Sequence, residues 1–134
     1  MKTADRRAWT KKAQSIIDEW TPRLGLEGWY ISIGWQETDS EVGAAVRWSD
    51  GYRNAVLLLN ENAGQWWWRP ESFRHAIVHE LTHLVCQPIG DYINENMREY
   101  GAIGREMGRR METVVDTFSN LIYRAYQRKT RARR

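Results

Sequence analysis

Three histidines, spaced four residues apart, fall in the segment HAIVHELTHLV at residues 75–85. His79 and His83 enclose Glu80 in the pattern H-E-x-x-H. On a helix, residues four apart lie about 40° apart around the axis and one turn along it, so both imidazoles can reach one point. Two neutral nitrogens that fix a metal ion, beside a carboxylate that accepts a proton, are the parts of a zinc hydrolase site.

The alternative interpretation is a core helix that happens to contain histidines. The residues around the motif are apolar and predict a buried helix, and placing two histidines and a glutamate on a buried face is costly unless they have partners. We therefore favour the metal interpretation. His75 lies two turns, about 12 Å, from His83. One ion cannot bind both, and we expect His75 to be structural.

A third ligand must come from elsewhere, because a catalytic zinc typically has three protein ligands. No histidine lies six residues beyond the motif, which leaves Asp91 or a glutamate of the last helix. Helical phase favours Glu112, and Asp116 lies one turn later on the same face. There it can accept a hydrogen bond from a ligand histidine and fix its tautomer. The alternative for Glu112 is an ion pair with Arg109 on a solvated face.

The patterns of hydrophobic residues predict the elements that must position this site. Residues 4–21 have helical spacing, and WYISIGWQE at 29–37 alternates with period two, which is typical of a half-buried strand. Residues 44–60 predict a hairpin with its turn at Asp50-Gly51. Helices follow at about 70–87, beginning at Pro70, and at 93–127. The predicted fold class is α+β: an N-terminal helix, a three-stranded mainly antiparallel sheet, the helix with the motif, and a long C-terminal helix.

The last helix also carries an apolar pattern. Residues at helical spacing predict one buried stripe along it. The predicted stripe consists of Met97, Tyr100, Gly104, Met107, Met111, Val114, Val115, Phe118, Ile122 and Ala125.

Length and charge predict one domain with a basic end. The 134 residues suit a single domain, placed at 1–127, and residues 128–134 read as a frayed basic tail. Residues 124–134 carry six cations and no acid; without these six, the net charge of +3 becomes −3. A solvated terminus is the preferred interpretation, and contact of residues 124–134 with nucleic acid is the alternative.

Cysteine usage and the N-terminus predict a cytoplasmic protein. The single cysteine, Cys86, excludes a disulfide framework and a cysteine-rich zinc site. The first twelve residues have no apolar core, so no signal peptide is expected. No apolar run approaches the roughly 20 residues that cross a bilayer, so no membrane partner is expected.

HELTH at 79–83 followed by ETVVD at 112–116 resembles the glutamate zincins, or gluzincins. The order of elements is similar to that of the minimal single-domain zincins that phages and bacteria encode. The resemblance implies a zincin-like fold with Zn²⁺ bound by His79, His83 and Glu112. It also implies that Glu80 is the general base and that Asp116 supports His79.

The expected function is a zinc-dependent metallopeptidase that hydrolyses peptide bonds through a zinc-bound water with Glu80 as the base. The alternative is a zincin-fold binding module with a structural or weakly catalytic zinc, associated with nucleic acid through the basic end. A peptide or protein substrate is expected to pair with an exposed edge strand leading toward the active helix. That strand is predicted to comprise Ala55, Val56, Leu57, Leu58, Leu59 and Asn60.

Overall fold

The computed structural model describes residues 3–39, 41–49, 52–65, 67–89, 91 and 101–134. Within these residues the chain forms helices and strands in the predicted order. The elements are α1 (Thr3–Trp20), β1 (Tyr30–Gln36), β2 (Ala44–Trp48), β3 (Asn54–Asn60), α2 (Pro70–Val85) and α3 (Ala102–Ala132). The α+β class, the three-stranded sheet and the long C-terminal helix are confirmed. The predicted turn at Asp50-Gly51 lies outside the described residues.

The sheet is mixed, with strand order β1-β3-β2. β2 pairs with β3 antiparallel, as the predicted hairpin requires, from Ala44 opposite Leu59 to Trp48 opposite Ala55. β1 pairs with β3 in parallel over seven residues. The prediction of a mainly antiparallel sheet is therefore wrong. A tight turn fixes the pairing of a hairpin, but the alternation within β1 leaves its partner and its direction undetermined.

β3 is the central strand and not an edge. Its residues Ala55–Asn60 pair with β1 on one side, and Ala55–Leu59 pair with β2 on the other. Backbone groups that bond to both neighbours leave no row free for an added strand. The prediction that Ala55–Asn60 form an exposed edge strand is therefore wrong, and the two edges of this sheet are β1 and β2.

Helix α2 joins the sheet to both other helices. It packs against α1, β2 and α3. Pro70 stands at its start, as the sequence predicts. Trp68 stacks on Phe73 across the first turn with ring centroids 6.1 Å apart. Ile77, Val78 and Leu81 are fully buried. Because one face of α2 is core, the residues on its other face are held in fixed positions.

Helix α3 contacts the rest of the protein along a narrower stripe than its sequence predicts. Val115 and Tyr123 are buried, but Val114, Phe118 and Ala125 of the predicted stripe are exposed, Phe118 by 51%. The stripe prediction is wrong for these three, because α3 packs mainly on one helix, α2, and one neighbour covers only part of its circumference. Met97 and Tyr100 lie outside the described residues.

The C-terminal boundary also differs from the prediction. α3 continues to Ala132, so residues 128–132 extend the helix beyond the predicted boundary at 127. Thr130 bonds back to the carbonyl of Tyr126, and arginine, lysine, glutamine and alanine are good helix formers. Among the helices in the described part of the chain, none combines the length and apolarity that crossing a membrane needs.

Candidate metal centre

Helix α2 presents the three residues of the motif on one side. The side chains of His79, Glu80 and His83 are 18%, 13% and 20% exposed. The two imidazole rings meet edge to face with centroids 5.0 Å apart. A ligand atom from each of the three lies within 4.8 Å of the others, a spacing that suits a metal ion. The helical spacing thus places them as the sequence predicts.

Helix α3 brings Glu112 to both histidines. Its Oε1 lies 3.0 Å from Nε2 of His79 and 3.4 Å from Nε2 of His83. Two nitrogens and one oxygen therefore converge from two helices, although 29 residues separate His83 from Glu112 in the sequence. The Glu112 side chain is 55% exposed, so it approaches the histidines from the solvent side.

Asp116 lies one turn further along α3 and contacts the other ring nitrogen of His79, Nδ1. Its Oδ1 is 3.0 Å from Nδ1 of His79, within hydrogen-bonding distance. A carboxylate there favours the imidazole tautomer protonated on Nδ1, which leaves the lone pair on Nε2. Nε2 is the atom that faces Glu112.

The donor set fits a divalent cation. Two ligand atoms that are each 2.0–2.1 Å from a tetrahedral zinc lie about 3.3 Å apart, close to the 3.0 and 3.4 Å separations observed. An unprotonated Nε2 and a carboxylate oxygen at 3.0 Å repel each other unless a cation or a proton lies between them. Two imidazoles and one carboxylate are a typical ligand set for zinc.

Glu80 occupies a different environment from Glu112. One of its oxygens, Oε2, accepts a 3.0 Å hydrogen bond from the backbone N–H of Val46 in β2, and the other, Oε1, lies 4.0 Å from Nε2 of His79. Burial raises the pKa of Glu80 to about 8, against the lowering effect of the Val46 bond and with a further increase from the charge of Glu112. A carboxyl group with a pKa near neutrality is suited to exchange a proton during a reaction.

The pKa of His83 also suits metal binding. Burial lowers it below the ordinary value for histidine, although the nearby charge of Glu112 acts in the opposite direction. A lower pKa keeps the ring neutral near pH 7, and a neutral ring is the form that binds a metal.

The remaining candidate residues lie apart from this cluster. His75 packs its ring on Tyr123 with centroids 5.1 Å apart. Asp91 accepts a 3.0 Å hydrogen bond from the indole of Trp48 and another from Gln87, so its carboxylate is engaged elsewhere. Glu106 bonds to Arg109 and Arg110, which leaves Arg109 a partner other than Glu112. Glu95 and Glu99, which are also glutamates of the predicted last helix, lie outside the described residues.

Sequence reasoning missed the contribution of β2. Val46 holds Glu80 through a backbone N–H, and such a contact leaves no residue type to recognise. The nearly continuous apolar run AVLLL predicts that β3 is covered on both faces, but such a run does not identify the strands that pair with it.

Comparison with known proteins adds no relative to these observations. No protein-family model, no curated protein and no solved structure matches the chain.

Proposed function

We propose that the protein is a zinc-dependent metallopeptidase with a zincin-like arrangement. The observation that carries this proposal is the convergence of His79 Nε2, His83 Nε2 and Glu112 Oε1 beside the Glu80 carboxylate. These three atoms would hold the ion. A bound Zn²⁺ supplies a Lewis acid that makes water acidic and polarises a carbonyl group.

The chain's own residues would divide the remaining work. Glu80 takes the proton from the attacking water and passes it to the leaving amine. Asp116 keeps His79 in the tautomer that binds the ion. Ile77, Val78 and Leu81 are fully buried on α2 and keep the helix that carries the motif in place.

Strand β2 is positioned to align a peptide substrate. It is an edge of the sheet, and α2 packs against it. The Val46 N–H points away from β3 toward Glu80. An extended peptide that pairs with this edge would pass beside Glu80 and the histidines. In this proposal β2, and not the predicted segment Ala55–Asn60, is the edge strand that binds the substrate.

The Glu80 carboxyl lies beside the two histidines, and this position favours catalysis over a purely structural ion. A structural site is closed by its ligands and has no use for a nearby proton acceptor. The binding-module alternative would leave this buried carboxyl only its hydrogen bond with Val46.

The test compares the full-length wild type with Glu80→Gln and a matched control, Glu106→Gln, whose side chain pairs with Arg110 on the solvated face of α3. Bound metal is measured by elemental analysis, and hydrolysis with a mixed library of quenched fluorescent peptides. We expect Glu80→Gln to retain zinc and lose about 1,000-fold in turnover, and Glu106→Gln to match the wild type. A wild type that binds zinc but cleaves no peptide in the library would instead support the binding-module alternative.

A further inference from the structure

A groove of about 680 Å³ follows the junction of α2 and α3 on the N-terminal side of His79. Helix α2 contributes Glu71 and His75 to its wall. The wall from α3 includes Tyr123 and three arginines: Arg124, Arg131 and Arg134. This volume lies in the range of small-ligand sites, and nothing in the proposed reaction uses it.

The groove carries an excess of positive charge. The hydroxyl of Tyr123 donates a 2.8 Å hydrogen bond to Glu71, the one acidic side chain among the described residues of the wall. Burial, and next the contact with Glu71, raise the pKa of Tyr123, so the phenol keeps the proton that it donates. Within the described residues, no carboxylate forms an ion pair with any of the three arginines. Their guanidinium groups are available to an anion.

The groove and the candidate metal centre lie along the same junction of α2 and α3. The two helices run antiparallel, because His79 meets Asp116, and His75, one turn earlier, meets Tyr123, two turns later. From Asp116 to Arg124 is eight residues, or about 12 Å along the helix. An extended peptide rises about 3.3 Å per residue, so this distance corresponds to about four residues of a bound chain.

We propose that this groove binds acidic side chains of the peptide substrate, about four or more residues from the bond held at the metal centre. The inference rests on the proposed function for the identity of the bound chain. Guanidinium groups bind carboxylates in paired hydrogen bonds, which gives arginine-lined grooves their preference for aspartate and glutamate.

Charge along the helix junction favours an acidic peptide over nucleic acid. A polynucleotide that followed the groove toward His79 would bring phosphates against Glu71, Asp116 and Glu112. Like charges at such distances are repulsive. A peptide can place a carboxylate at the arginines and neutral residues at the metal centre.

The experiment measures binding to the full-length Glu80→Gln chain, which leaves the probe intact. The probes are two fluorescein-labelled dodecapeptides of alanine and serine that differ only in a run of three glutamates or three glutamines. Binding is followed by fluorescence anisotropy at about 100 mM salt, where exposed charges are partly screened. We expect the glutamate peptide to bind about tenfold more tightly, as two exposed ion pairs allow.

Two double variants then locate the effect. Arg124→Ala/Arg131→Ala removes two cations from the groove. Arg128→Ala/Arg133→Ala removes two exposed cations from the same end of α3 that do not line it. We expect the first pair to abolish the glutamate preference and the second to keep most of it. Equal losses in the two pairs would overturn the inference, as would equal binding of the two peptides.

Further measurements distinguish a failure of the groove proposal from a failure of the peptidase proposal. Zinc-loaded wild type that cleaves both peptides equally well would overturn the acidic preference and leave the peptidase proposal intact. Selective binding of the glutamate peptide through Arg124 and Arg131, without cleavage, would support the groove and contradict the peptidase. Tighter binding of a single-stranded oligonucleotide than of the glutamate peptide, weakened alike by both double variants, would favour nucleic acid and overturn the inference.

Discussion

His79, Glu80 and His83 stand on a helix whose opposite face is core, whereas Glu112 and Asp116 stand on a helix that meets the protein along one stripe. The difference appears in exposure: the three side chains of α2 are 13–20% exposed, and the two carboxylates of α3 are 55% and 61% exposed. One side of the centre is therefore built into the fold. The other side is held mainly through α2 and through the groups that meet at the centre.

The largest effect that tests this contrast is on stability. Ile77 is fully buried on α2, and Ile77→Ala should lower the free energy of unfolding by about 2–5 kcal/mol. Phe118→Ala, on the exposed face of α3, should change it by less than about 0.5 kcal/mol. Urea unfolding of both variants measures the two values. Comparable losses would mean that α3 is held as firmly as α2.

Removing the proposed ligand Glu112 from α3 should lower the affinity for zinc but not change the fold. We expect Glu112→Ala to weaken zinc binding by more than about 100-fold, the upper range for losing a supporting partner. Its metal-free stability should match the wild type, because the side chain is more than half exposed. Competition with a chelator and thermal unfolding measure the two quantities. Unchanged zinc affinity would remove Glu112 from the ligand set.

A smaller effect on zinc affinity is expected for Asp116, which contacts the proposed ligand His79. Asp116→Asn keeps the size of the side chain but removes the charge that lies 3.0 Å from Nδ1 of His79. Zinc affinity should fall by about 10- to 100-fold, less than for Glu112→Ala. The same chelator competition measures it, with Glu106→Gln as the control. A loss as large as that of Glu112→Ala would indicate that Asp116 binds the ion directly.

The smallest effect concerns the other attachment of α3. Glu19 of α1 bonds to Tyr126 of α3 and to Arg23 and Arg74. Burial alone would raise the pKa of Glu19, but these hydrogen bonds and charges hold it below its ordinary value.

The stabilisation from Glu19 is therefore complete above the unfolded pKa of about 4.3, and it is lost as the pH falls through the lower folded pKa. Glu19→Gln should lose about 1 kcal/mol at pH 7 and less at pH 3. Urea unfolding at the two pH values checks this. A loss that does not depend on pH would mean that the charge of Glu19 contributes nothing.

The same contrast explains how much the sequence could predict. His79, Glu80 and His83 are neighbours on one helix, so local periodicity alone brings them together. Glu112 and Asp116 required helical phase on a second helix, and the structure does bring both to the histidines. The apolar stripe that defines this phase is nevertheless partly exposed, because the number of neighbours around α3 is a tertiary property. Strand order was out of reach for a similar reason: alternation within β1 identifies its faces but not its partner.

The hydrogen bond from the Val46 N–H to Glu80 links the position of the Glu80 carboxylate to the pairing of a peptide with β2. One backbone N–H cannot serve the carboxylate and a strand added at the same point of β2. In the proposed function, a peptide that takes this donor would release Glu80, and a Glu80 engaged by Val46 would disfavour the peptide by the same free energy. The carboxylate would thus become mobile when a chain lies along the edge, and stay tethered when the edge is empty.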